Sequence, residues 1–157
     1  MLLGGNGAGK SSTFEMLSGM SEPTSGNVYV MGKSIRTDMP EIRKMMGYVP
    51  QVNLMYDQIT VFQHLELVCA LRGMKFKKAN YAELLDDLDM TKKLSTKASN
   101  LSGGQQRKLA LLMAMVGGTR ILFLDEVTSG VDPDSRKKFW QVIRKHREGR
   151  IIVCTSK

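Results

Sequence analysis

Hydrophobic positions along this chain change their spacing several times, and each change marks an element. Lys10 to Leu17 reads as a short helix stopped by Gly19, followed by the turn residues of "EPTSG" (Glu22 to Gly26). In "NVYVMG", Val28 and Val30 alternate at the period of a strand, and "MGYVP" (Met46 to Pro50) gives a second one. From Thr60 the period becomes helical. Thr60 and Gln63 form a T-x-x-Q capping box, Val61, Leu65 and Val68 share a face, and Gly73 supplies the stop. Tyr81, Leu84, Leu85 and Leu88 recur at i, i+3, i+4, i+7, with Glu83, Asp86 and Asp87 facing elsewhere, which predicts another helix.

A third helix is predicted from about Gln105 to Val116; every residue after Lys108 is apolar or small, so it should be buried on most sides. "ILFLDE" (Ile121 to Glu126) is an all-apolar run ending in two acids, the pattern of a central parallel strand. Asp132 then caps, Pro133 starts and Gly149 ends a helix that turns Phe139, Trp140 and Ile143 inward, and "IIVCT" closes as a buried strand. This order predicts an α/β fold with a mainly parallel sheet: one domain, in which residues 1–52 and 101–157 form the core and residues 53–100 an inserted helical subdomain.

Composition narrows the class. At 157 residues the chain is one domain's worth, and its longest apolar stretch, Leu109 to Val116, falls far short of the roughly 18 residues that span a bilayer. The segment is expected to be soluble. Cys69 and Cys154 are isolated, which fits apolar filling in a reducing compartment better than a disulfide scaffold. The net charge of +8 comes from scattered residues (Lys75, Lys77, Lys78, Lys92, Lys93, and a string from Arg136 to Arg150) without interleaved aromatics. A solvated face accounts for it, and no nucleic-acid partner is expected.

The chemistry begins at residue 4. Gly4 to Ser11 satisfies G-x-x-x-x-G-K-[ST]. In such a loop the backbone of Gly4, Asn6, Gly7, Ala8 and Gly9 turns N–H groups toward one point. Lys10 adds a mobile cation for the terminal phosphates, the Ser11 hydroxyl can sit on Mg²⁺, and Ser12 continues the helix start. Asp125, at the carboxyl end of the buried strand, is placed to hold that metal through water. Glu126, one step nearer solvent, is the candidate general base. Ser102, Gly103 and Gly104 open another helix and form a second anion-binding terminus, although one nucleotide has only one triphosphate tail. The second terminus is expected to serve another molecule's nucleotide.

These residues carry a family resemblance. Leu101 to Gln105 reads LSGGQ, which resembles the signature of ATP-binding-cassette (ABC) proteins and lies in the family's order between phosphate loop and Walker B strand. The resemblance implies a cassette fold with a RecA-like P-loop NTPase core and two cassettes sandwiching two ATP molecules head to tail. Each nucleotide would be held with Mg²⁺ by one P-loop and by the other subunit's Ser102, Gly103, Gly104 and Gln105. It implies that Gln51, in "GYVPQ", is the Q-loop glutamine reaching the metal and the attacking water. "SGVD" (Ser129 to Asp132) would be the D-loop at the dimer interface, with Asp132 near nucleotide. The wording of "GGTRILFLDE", "SGVDPDSRKKFW" and "REGRIIV" is most similar to the A subfamily of eukaryotic transporters, which mostly move lipids. The implied function is ATP hydrolysis at the cytoplasmic face of a membrane, with transmembrane partners docking on the helical subdomain; Met55, Met74 and Met90 lie there, and core filling accounts for them better than an adaptable contact surface.

The chain also departs from that pattern. Val127 follows Glu126 where the family usually has proline, and Ser156 and Lys157 follow the last strand where it has a switch histidine. Only Met1, Leu2 and Leu3 precede the loop, so a truncated cassette is expected, lacking the leading β-subdomain and the segment after the switch. A non-catalytic nucleotide-binding module and a soluble, non-transport ABC ATPase stay open beside the transporter reading.

Overall fold

The computed structural model of the chain describes residues 2–5, 7–127 and 133–156. In chain order these form β1 (Leu2–Leu3), α1 (Lys10–Ser18), β2 (Tyr29–Val30), β3 (Lys33–Ser34), α2 (Met39–Met45), β4 (Met46–Val49), α3 (Val61–Leu71), α4 (Ala82–Asp87), α5 (Gly103–Met115), β5 (Ile121–Leu124), α6 (Pro133–Lys145) and β6 (Ile151–Ser156). Strands β1, β6, β5 and β4 lie side by side in that order and pair in parallel, while β2 and β3 make a separate antiparallel hairpin.

Side chains of the central strand β5 alternate between two apolar clusters, one on each face of the sheet. Leu122 and Leu124 pack with Val49 and with the buried faces of α3, α4, α5 and α6. Ile121 and Phe123 pack with Phe14 of α1 and with Met39, Ile42 and Met46. A parallel sheet covered on both sides needs strands that are apolar throughout, and all four β5 residues are buried. Phe14 meets Phe123 edge-on at 5.3 Å between ring centroids and is fully buried. Burying such a side chain contributes roughly 1.5–3 kcal/mol, so it anchors the helix that follows the phosphate loop. On the other face β4 runs so close to α5 that a Cβ on Gly47 would lie 2.0 Å from the carbonyl oxygen of Ala114.

Residues 53–100 carry α3, α4 and short 3-10 turns, and their apolar side chains join the same cluster as the sheet. Arg72, at the end of α3, clamps this region to the core. Its guanidinium donates to Met46 O at 2.8 Å, to Thr119 Oγ1 at 2.8 Å and to the carbonyl of Val116. The capping box at α3 is present in both directions, between Thr60 and Gln63. His64, unremarked in the sequence, is fully buried inside α3; its Nε2 accepts from Tyr56 N–H at 3.0 Å while Nδ1 faces Thr60 O at 2.8 Å.

Several elements differ from the sequence expectation. The strand leading into the phosphate loop exists in short form: Leu2 and Leu3 pair with Thr155 and Ser156. Helix α2 was not foreseen; it is seven residues long, with Pro40 in its first turn and Asp38 accepting the Ser34 N–H at 2.8 Å just before it. The "NVYVMG" strand shrinks to Tyr29–Val30, although Val28 and Val30 do turn to the core while Tyr29 is exposed. Helix α5 starts at Gly103 because Ser102 caps it, and α6 stops at Lys145 instead of running to Gly149.

Candidate functional site

The phosphate loop joins β1 to α1. Gly9, the residue before the helix, sits at φ +83°, a left-handed backbone that favours glycine. Among the described residues no side chain caps α1 and its first turn carries no acid, an arrangement that suits an anion at this terminus. Helices α3 and α5, in contrast, carry closed capping boxes. Lys10 is buried, and its Nζ donates to Gly4 O at 2.7 Å and Gly5 O at 2.9 Å, with Glu126 Oε1 at 3.9 Å. An open cleft of about 390 Å³ is lined by Gly7 to Ser12 together with Gln51 and Glu126.

The two acids at the end of β5 are held by its neighbours in the sheet. Asp125 is buried; its Oδ1 accepts from the Thr155 hydroxyl at 2.7 Å and its Oδ2 from the Tyr48 hydroxyl at 3.4 Å. Burial, reinforced by the charge of Asp125, pushes the Tyr48 hydroxyl up to about 12, so it stays a donor. The same Thr155 oxygen accepts the backbone N–H of Glu126 at 2.9 Å. Glu126 lies at φ +43°, a conformation that costs a non-glycine residue on the order of 1–3 kcal/mol and persists where neighbours enforce it. That turn brings its carboxylate within 3.5 Å of Gln51 Nε2, across 75 positions of sequence. Sequence reasoning missed Thr155 and Tyr48; the available signal was a polar residue ending the otherwise apolar run "IIVCT".

Not every expected residue reaches the cleft. Asp125, although it precedes Glu126, is not part of the cleft's lining. Ser102, Gly103 and Gly104 are exposed and do not line it. Gln105 is engaged in the cap: Ser102 Oγ accepts from Gln105 N at 3.3 Å, and Gln105 Oε1 accepts from Ser102 N at 3.1 Å. Asn6, the segment Ser129 to Asp132 and Lys157 lie outside the described residues. Ser156 is the last residue of β6.

The donor set fits a magnesium–triphosphate group. A lysine, an uncapped helix start and the Ser11 hydroxyl converge on one cleft. Among the described residues no group of three or more His, Cys, Asp or Glu side chains forms a metal cage. Mg²⁺ suits such a place, since it is usually held by few protein ligands plus substrate phosphates.

Residues 1–129 match the family model described as ABC transporter. The chain is 45% identical over 99% of its length to "ABC transporter A family member 5" of Dictyostelium discoideum, covering 10% of that protein. It is 39% identical over 98% of its length to human "Phospholipid-transporting ATPase ABCA7", covering 7% of it. The chain thus spans a tenth or less of these curated relatives. Among solved structures, one described as "Structure of ATP binding subunit of ABC transporter" superimposes with a TM-score of 0.85 at 25% identity, over 98% of this chain and 66% of that one. A "Putative ABC transporter (ATP-binding protein)" from Pyrococcus furiosus shares the fold, with a TM-score of 0.84. With its α/β fold and parallel sheet around a phosphate loop, the chain belongs to the ABC transporter family, and its sequence relatives are members of the A subfamily.

Proposed function

We propose that this domain binds ATP with Mg²⁺ on Gly4 to Ser12 and hydrolyses it to drive transport by a membrane protein of which it is the cytoplasmic motor. One observation carries the reading: Lys10, Gln51 and Glu126, from three distant stretches of chain, meet in one cleft at an uncapped helix start. Lys10 exchanges the carbonyls of Gly4 and Gly5 for phosphate oxygens. Glu126 takes a proton from the attacking water, which Gln51 helps to orient, and the Thr155 hydroxyl holds the Asp125 carboxylate in place. Mg²⁺, when bound, would be held by Ser11 and would supply charge neutralisation at the phosphates.

The exposed Ser102–Gly104 terminus lies outside this cleft, which supports its use on the nucleotide of a second cassette arranged head to tail. Pro50, Leu54 and Val68 line a groove, and Val52, Leu71 and Met74 are further exposed apolar residues between positions 52 and 74, which supports this stretch as a surface for transmembrane partners. Lipid cargo is favoured by the human relative, which is named as a phospholipid-transporting ATPase.

The test compares the wild type with Glu126→Gln. The substitution should retain a fluorescent ATP analogue and abolish phosphate release. Equal release from both proteins removes Glu126 from the role of base, and analogue binding without release by the wild type leaves a non-catalytic module. Transmembrane helices encoded beside this domain support transport; a second cassette without them supports the soluble class.

A further inference from the structure

Arg107 belongs to α5, five residues beyond Ser102, and only 8% of it is exposed. It makes no ion pair among the described residues; its partners are neutral oxygens from two other segments. Nε donates to Val127 O at 2.8 Å, and Nη1 donates to Pro50 O at 2.6 Å and to Asn53 Oδ1 at 3.1 Å. Pro50 immediately precedes Gln51, and Val127 immediately follows Glu126. One guanidinium therefore holds the main chain on both sides of the pair that meets in the cleft. Burying a cation is costly unless its N–H groups are matched, and removing this one would leave the oxygens of Val127, Pro50 and Asn53 without their donor. The bonds that match it run to both segments that supply the cleft pair.

We infer that Arg107 is a positioning residue, a strut that fixes Gln51 and Glu126 relative to α5. This rests on the proposed function, in which the start of α5 covers the nucleotide of a second copy. Between Ser102 and Arg107 lie about 7.5 Å of helix, short enough to move as a unit. Displacing the start of α5 then displaces the hydrolytic pair of the same chain, so the partner's nucleotide and the chain's own water-activating groups are joined through this one side chain.

The test reads amide hydrogen exchange in the nucleotide-free protein beside nucleotide binding and turnover. Arg107→Lys keeps the charge but replaces the planar fork by a single ammonium. Exchange in residues 125–127, where the Asp125 N–H is bonded to Val49 O and the Glu126 N–H to Thr155 Oγ1, should quicken by about tenfold, the loss of one hydrogen bond to a charged group, while residues 7–12 stay unchanged. Affinity for a fluorescent ATP analogue and KM should stay within about twofold, with kcat falling about tenfold or more. Asn53→Ala, which removes one leg and leaves the buried cation and its bond to Val127 O in place, should lower kcat by less than Arg107→Lys does and leave exchange at 125–127 near the wild type. Exchange that rises uniformly across the chain in Arg107→Lys, or stays unchanged at 125–127 in that variant, overturns the strut. Because exchange is read without nucleotide, a protein that never hydrolyses ATP would still decide this question.

Discussion

The hydroxyl of Thr155 stands 2.7 Å from Oδ1 of Asp125, donating to the carboxylate while accepting the N–H of Glu126. The last residues of β6 thereby set both acids at the end of β5, one buried and one turned into the cleft through a left-handed backbone.

Thr155→Val keeps the shape and removes the hydroxyl, leaving a buried carboxylate oxygen and an amide N–H without their partner. Such losses cost about 1–3 kcal/mol, and at about 2–4 °C per kcal/mol for a domain of this size the Tm should fall by about 2–12 °C. Thr155→Ser should recover most of the loss in thermal unfolding. Equal Tm values for the valine and serine variants would show that the hydroxyl does not hold the acids.

Gly47→Ala should be among the most damaging single-methyl changes. The added carbon would sit 2.0 Å from Ala114 O and 2.8 Å from Ala114 C, both backbone atoms, so no rotamer relieves the clash. Overpacking typically costs about 1–3 kcal/mol, and a backbone obstacle puts this position at about 3 kcal/mol or above. A urea midpoint like that of the wild type would contradict the close approach of β4 and α5.

Asp87 joins α4 to α6, with Lys145 Nζ at 2.8 Å and His146 Nε2 at 2.7 Å. The hydrogen bond from Lys145, with help from His146 and against burial, holds its carboxyl below the ordinary 3.8. Because the folded value is the lower one, the contribution is fully present above pH 3.8 and is lost as pH falls through the folded value. Asp87→Asn should therefore lower the urea midpoint at pH 7, and the two proteins should converge well below pH 3.8. A constant gap at every pH would assign the difference to packing instead.

The sequence made legible what depends on local pattern: the phosphate loop and its helix, the capping box of Thr60 and Gln63, the buried run from Ile121 to Leu124 and the acids that end it. It did not disclose what depends on register between strands. Thr155 acts on Asp125 only because β6 lies beside β5 with Leu124 opposite Cys154, and Tyr48 reaches the same acid from β4 on the other side. Nothing local marks Arg107, whose side chain crosses to segments 20 and 57 residues away in sequence. Helix α2 escaped notice because seven residues hold too few turns for a period to show.

The central claim is that Lys10 and the uncapped start of α1 hold a triphosphate. Its most direct test is equilibrium binding of Mg·ATP to the wild type and to Lys10→Ala, with circular dichroism confirming that both fold. Saturable binding by the wild type is expected, weakened about 10–100-fold in the variant, the equivalent of one to two charged hydrogen bonds. Equal affinity for the two proteins, or no saturable binding by the folded wild type, would contradict it.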